Sequence, residues 1–242
     1  MRPIRSGDLF GRGGYLNVRS AAAKLALGMV AVTVVTTVLG IGLYVALSPA
    51  LVFRSLALWQ PLTYGFLETS PLGLIFGALI VWSMGSALEA TWGSRRFLAF
   101  TLVSTVLAGV VTVLLGLVFG SVYAGVFAGG TVMATIVWVA YGWSFGQAMT
   151  NFWGLPVTGN VLALIGVGFV LLNAAFARSI VPVIPDLLGI LAAYAYIHYG
   201  SPRTLLLKFK HWRYRRELKS RARHLNVVSG ERGSRGSDRY LQ

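Results

Sequence analysis

Residues 71–119 read PLGLIFGALIVWSMGSALEATWGSRRFLAFTLVSTVLAGVVTVLLGLVF, and their three charges, Glu89, Arg95 and Arg96, gather near the middle. The apolar run on either side is about 20 residues long, enough to cross a hydrocarbon layer of ~30 Å as a helix. Lipid offers no partner for an exposed N–H or C=O, so such a run must satisfy its backbone internally, and a helix does so. Two arginines between two such runs mark a turn held on one side of the membrane.

The same pattern continues outward in both directions. Upstream, an apolar run extends from Ala21 to Leu47, too long for the core of a signal peptide and without a cleavage-like end, so it reads as a retained first span. Downstream, the apolar runs are Tyr123–Trp143, Leu155–Phe176 and Pro182–Tyr199. With Pro71–Thr91 and Phe97–Phe119 they make six helical spans, and the expected fold is an all-α polytopic bundle of six transmembrane helices. The segment Ser48–Ser70 is mixed and reads as a loop in the membrane interface. Three parts follow: a basic N-terminus (1–20), the membrane domain (21–200) and a basic tail (201–242).

Composition supports a membrane chain. Of 242 residues, 56% are hydrophobic and 12% charged, about half the charged share of a soluble domain. The charge is +14, and twelve of the 21 Lys and Arg follow Tyr199. Arg2, Arg5, Arg12 and Arg19 precede the first span, and Arg95 and Arg96 share their side, so both termini are expected to be cytoplasmic. The basic excess then reflects orientation and attraction to anionic lipid headgroups at the tail, where Leu205, Leu206, Phe209 and Trp212 alternate with Lys and Arg; nucleic acid is not implied. Beyond Asn226 the Gly-, Ser- and Arg-rich sequence reads as disordered. Trp59, Trp92, Trp143, Trp153 and Trp212 read as interface anchors, and Trp82 as a mid-span packing residue.

The same composition narrows the chemistry. Without cysteine there are no disulfides, thiolate metal sites or thiol nucleophiles, and the three His lie at positions 198, 211 and 224. No metal-ligand cluster and no cofactor-binding motif is present, so no metal and no cofactor is expected.

Two stretches resemble the rhomboid family of intramembrane serine proteases. Residues 62–77, LTYGFLETSPLGLIFG, running on to GSALEATWGSRRF at 85–97, are similar to that family's second span and its end. Residues 126–134, VFAGGTVMA, are similar to the G-x-S-G stretch that opens its fourth span. Pro182–Ala195 looks like the sixth span, and Phe152–Val157 like the entry to the fifth. The resemblance implies six helices around a Ser-His dyad, and it places Gly129 at the serine, Asp186 at the histidine, and Gly73 and Gly77 at the oxyanion-assisting His and Asn. Acyl transfer needs a nucleophile, a base and an oxyanion donor, and none of these side chains is supplied. The family's Trp-Arg pair in the first loop stands here as Trp59-Gln60.

The expectation is a rhomboid-like pseudoprotease that binds transmembrane segments of client proteins without cutting them. By similarity to derlins and other inactive rhomboid relatives, the implied work is recognition, retention, quality control or delivery of membrane clients. Trp59, Gln60, Glu68 and Asp186 are the candidate cavity or client-binding residues. Gly73, Gly77 and Gly129 are candidates for having widened the former active site into a groove. Gly125 with Gly129, and Gly189 with Ala193, form small-xxx-small patterns assigned to packing between the fourth and sixth spans. An alternative is an active protease with an unrecognised nucleophile such as Ser121 or Thr131, although no histidine lies within reach at that depth. A paired-carboxylate site could draw on Glu68 and Asp186. Glu89 reads as structural. Transport of a small molecule or ion is a further alternative, for which Asp186 is permissive.

Overall fold

The computed structural model describes residues 19–152 and 155–200. The N-terminal basic cluster through Val18, Trp153 and the whole tail assigned to lipid headgroups lie outside the described residues.

The first helix, α1 (Ala21–Val38), starts at Ser20, whose Oγ accepts from the Ala23 N–H at 3.0 Å. It is shorter than the apolar run that encodes it. Gly40, at φ +67°, turns the chain after it, and a short helix α2 (Gly42–Val45) leads Leu47 into a two-bond bridge with Phe127. The expected loop is itself built from short helices: α3 (Pro49–Ser55), α4 (Gln60–Thr63) and a 3-10 turn over Tyr64–Phe66.

The quoted stretch folds as read. Helix α5 (Pro71–Trp92) begins with Ser70 as cap and Pro71 in its first turn. Only Gly93 separates it from α6 (Ser94–Gly116), and its φ of +81° is a conformation that side chains with a Cβ rarely adopt. A short helix α7 (Gly120–Tyr123) follows.

The fourth apolar run departs most from expectation. Its helix, α8 (Gly130–Phe145), starts seven residues later than Tyr123 and has 16 residues, ~24 Å at 1.5 Å per residue. Residues 124–129 are diverted by hydrogen bonds to the first loop: Phe127 pairs with Leu47, Gly129 N–H donates to Tyr64 O at 2.9 Å, and Gly130 N–H to Leu67 O at 2.9 Å. The loop carbonyls thereby satisfy donors that every helix N-terminus leaves open. Gly125, assigned from sequence to this helix, therefore lies in the loop before it; a Cβ there would meet the Phe127 ring at 2.6 Å.

The run expected to open the fifth span also begins differently. Met149–Phe152 (β1) and Leu155–Thr158 (β2) pair antiparallel, Met149 with Thr158 and Phe152 with Leu155, and α9 (Gly159–Phe176) follows. A 3-10 turn at Val181–Val183 then leads into α10 (Ile184–Tyr199), close to the expected last span.

Helix α8 is the centre of the bundle. Val132, Met133, Ile136, Val137, Val139 and Ala140 are fully buried, with α5 on one side and α9 on another. Two glycines set the α8–α9 approach, since a Cβ on Gly142 would lie 2.6 Å from Ala163 N and Gly159 O. Against α8, α10 places Gly189, where a Cβ would meet Ile136 Cγ1 at 2.9 Å and Val132 Cγ1 at 3.3 Å; Ala193 of the same helix is fully buried. The outward faces carry exposed Leu27, Val35, Ile75, Val103, Leu107, Leu164, Phe169 and Leu191, a surface suited to hydrocarbon. Among the described residues five helices, through Ala21–Val38, Pro71–Trp92, Ser94–Gly116, Gly159–Phe176 and Val181–Tyr199, are long and apolar enough to cross a membrane, with α8 as a shorter apolar helix among them. The chain is an all-α polytopic membrane protein.

Candidate functional site

Gly73, Gly129, Glu68 and Asp186, singled out from sequence, lie in or beside the first turns of α5, α8 and α10, and the Tyr64 turn packs on Gly129. Gly129 immediately precedes α8, with φ −109° and ψ 8°. The volume beside it is filled: a Cβ on Gly129 would lie 2.5 Å from both Cδ2 and Cε2 of Tyr64 and 2.9 Å from Gly65 Cα. Tyr64 is completely buried, and its hydroxyl donates to Thr105 O at 2.7 Å. Gly109 on α6 makes room for the far side of the ring, since a Cβ there would meet Tyr64 Cε1 at 2.7 Å. Burial pushes the Tyr64 phenol far above the ordinary tyrosine range, with the Asp186 carboxylate adding to the shift, so the ring is held neutral.

Gly73 and Gly77 are occupied in the same way. A Cβ on Gly73 would sit 2.9 Å from Glu68 Oε1, and one on Gly77 would meet Met29 Cε at 3.3 Å and Ala134 Cβ at 3.7 Å. The three glycines therefore do not open a groove. They admit Tyr64, Glu68 and Met29 from the chain itself, because close helix approach removes the space that absent side chains would otherwise leave.

Glu68 is 6% exposed. Its Oε1 accepts from the N–H groups of Thr69 at 3.0 Å and Ser70 at 3.3 Å, while its own N–H donates to Thr33 Oγ1 on α1 at 3.0 Å. Its Oε2 is buried with no hydrogen-bond partner. Asp186, in the first turn of α10, is 5% exposed and drier than a solvated helix-end carboxylate. It accepts from Thr135 Oγ1 on α8 at 3.3 Å.

The first-loop candidates divide. Gln60 is 1% exposed and is consumed by the loop: its Oε1 accepts from Ser48 N–H at 3.0 Å and its Nε2 donates to Leu43 O at 3.4 Å. It has no surface to offer a client, and neither has Glu68. Trp59 is 51% exposed, with its indole N–H donating to Tyr44 O at 2.9 Å, so its ring stays at the surface. Thr131 is partly buried one residue into α8. His198 lies near the opposite end of α10, exposed and bonded through Nδ1 to Tyr194 O at 3.1 Å.

At that opposite end Glu89 joins three helices. Its two oxygens accept from Ala21 and Ala22 N–H at 3.0 Å each, and Oε1 also accepts from Ser94 Oγ at 2.5 Å. It is thus an acidic cap on α1 supplied from α5, complementing the helix dipole. Beside it Arg96 donates to Tyr196 OH at 2.8 Å and lies over the rings of Trp92 and Tyr196 at 5.4 and 5.5 Å.

A concavity that sequence reasoning missed lies on the outer surface. A groove of about 320 Å³ runs between α1 and α5, lined by Ala23, Ala26, Leu27, Ile75, Ala78 and Trp82 among others. Its signal was present as Ala at 23, 26 and 78, small residues on two apolar helices. Among the described residues no group of three or more His, Asp or Glu could hold a metal ion. The architecture of apolar helices and the run from Ser20 into the last helix agree with a match over residues 20–204 to the family described as eukaryotic integral membrane protein (DUF1751), and the chain belongs to that family.

Proposed function

We propose that this protein is a rhomboid-like pseudoprotease, a six-crossing scaffold with α8 as its short crossing, that binds transmembrane segments of client proteins without cleaving them. One observation carries the reading. Where a rhomboid protease would present its serine, this chain has Gly129 roofed by the buried ring of Tyr64, so neither a nucleophile nor space for a scissile bond is available. The base position holds Asp186, bonded to Thr135 and shut off from solvent. The basic clusters around Arg95 and in the tail support cytoplasmic termini.

With the interior filled, client contact falls to the outer faces of the bundle. Helix association in lipid relies on van der Waals packing over small residues, and Ala26 and Ala78 in the α1–α5 groove supply these. The test reconstitutes the chain in proteoliposomes with single-span membrane proteins and places a photocrosslinker at Leu27 or Ile75. The expected result is an intact single-span protein and a crosslink weakened by Ala26→Trp and Ala78→Trp. Cleavage of the single-span protein sinks the reading, and so does failure of every tested helix to crosslink at any outward face.

A further inference from the structure

We infer that Arg95 and Arg96 bind the headgroup of an anionic phospholipid whose acyl chain lies along the outward face of α6. The site is built at the junction of α5 and α6, away from the α1–α5 groove, and does not depend on client binding. Gly93, at φ +81°, folds the first turn of α6 back toward the end of α5. Arg96 thereby lies over the Trp92 ring, 5.4 Å from its centroid, and over the Tyr196 ring of α10 at 5.5 Å. Its Nε donates to Tyr196 OH at 2.8 Å. Both rings are fixed in turn by buried Phe100, Trp92 edge-on at 5.2 Å and Tyr196 tilted at 4.7 Å.

The clamp holds a flexible side chain in one orientation without neutralising it. An aromatic face attracts a cation through its quadrupole and carries no net charge. The Nη groups of Arg96 meet no acceptor among the described residues, and Arg95 beside it is exposed with no acidic partner among them. The acids are elsewhere: Glu68 and Asp186 lie in or beside the first turns of α5 and α10, at the far end of the bundle, and both oxygens of Glu89 are taken by Ala21, Ala22 and Ser94. Two positive charges thus stand uncompensated where two apolar helices end. A planar fork of N–H groups that has already lost its rotational freedom matches the oxygens of a phosphate or carboxylate.

Beneath the guanidinium the surface is apolar. Steps of three or four residues along α6 from Arg96 reach Ala99, Val103 and Leu107, all exposed. From Arg96 to Leu107 the axial rise is ~16.5 Å, against ~15 Å for one leaflet of a ~30 Å hydrocarbon core. Ala99 keeps the surface just below Arg96 clear of a long side chain. A free anion uses only the cationic end of this surface, whereas a phospholipid covers both parts of it. Two uncompensated arginines select an anionic headgroup over a zwitterionic one, whose own cation they repel.

Photocrosslinking of the full chain in lipid nanodiscs tests the site. The probe is phosphatidylserine with a diazirine on its acyl chain, and the labelled peptides are read by mass spectrometry, which separates α6 from the basic tail. In the wild type, label is expected on α6 around Val103 and Leu107, displaced by unlabelled phosphatidylserine and not by phosphatidylcholine. Arg96→Lys keeps the charge but gives up the fork and the stack. It is expected to reduce the α6 label on the order of tenfold, as loss of a charge-assisted hydrogen bond does, with label at Leu164 on α9 unchanged. Tyr196→Phe, which releases Nε, is expected to reduce the label by less. Absence of α6 label in the wild type overturns the proposal. So does α6 label that phosphatidylcholine displaces equally or that Arg96→Lys leaves intact, because any lipid or any positive charge would then suffice. Displacement by inorganic phosphate in the buffer also overturns it, since the arginines would then serve a free anion. If Arg96→Lys does not accumulate, Tyr196→Phe takes its place, and unchanged α6 label in that variant overturns the proposal.

Discussion

Placing a serine at position 129 is expected to damage the fold without creating a protease. The backbone at Gly129, at φ −109° and ψ 8°, is open to any residue, so the penalty of Gly129→Ser is steric alone. Its Cβ would arrive 2.5 Å from two carbons of the Tyr64 ring, against a comfortable carbon–carbon separation of ~3.5 Å, so about 1 Å of overlap must be relieved. The ring is not free to retreat: it is fully buried, it rests against Gly109, and its hydroxyl is tied to Thr105 O. Overpacking of this kind costs ~1–3 kcal/mol, and loss of the Tyr64 hydrogen bond adds ~1 kcal/mol. For a chain of this length the sum corresponds to a fall in Tm on the order of 5–15 °C. The assay is thermal unfolding in detergent followed by tryptophan fluorescence, for Gly129→Ser, Gly129→Ala and each combined with Tyr64→Leu. Trimming the ring should recover part of the loss as a coupling of ~1–3 kcal/mol. A Gly129→Ser protein as stable as the parent, or a penalty unchanged when Tyr64 is Leu, refutes the steric argument; cleavage of a single-span substrate by Gly129→Ser refutes the functional one.

Other expectations follow from the same geometry. Glu89→Ala removes the acceptor shared by Ala21, Ala22 and Ser94, and should destabilise by ~1–3 kcal/mol, with Ser94→Ala costing less; equal thermal stability of Glu89→Ala and wild type would exclude the cap. Gly142→Ala drives a Cβ to 2.6 Å from main-chain atoms of Ala163 and Gly159 and should strongly reduce the folded fraction recovered by size-exclusion chromatography. Gly168→Ala, on the same α9 but with nothing within 4 Å, should instead stabilise by ~0.5–1 kcal/mol through helix propensity, and the pair of results separates packing from backbone effects. Gln60→Ala leaves Ser48 N–H without its buried acceptor and should lower Tm, whereas Trp59→Ala, at a half-exposed ring, should cost less; the reverse order in thermal unfolding would contradict the assignment of Gln60 to the loop interior.

The amino-acid sequence by itself determined the class and most of the long helices. A run such as 71–92 has to be helical in lipid whatever surrounds it, and Gly93 between two apolar runs marks their turn, so α5, α6 and α10 were legible without tertiary information. Charge content at positions 89, 95 and 96 likewise located one end of the bundle. The same apolarity hid the start of α8, because residues 124–129 are as hydrophobic as the helix they precede and are pulled from it by hydrogen bonds to Leu47, Tyr64 and Leu67, far away in sequence. The hairpin before α9 was hidden because Leu155 and Val157 of its second strand continue into the apolar run of the helix. Glycine at 73, 77 and 129 marked where side chains are missing, yet a missing side chain specifies neither a void nor its occupant. Only the tertiary structure decided that Tyr64, Glu68 and Met29 take those places, because that outcome depends on which distant segments approach within van der Waals distance.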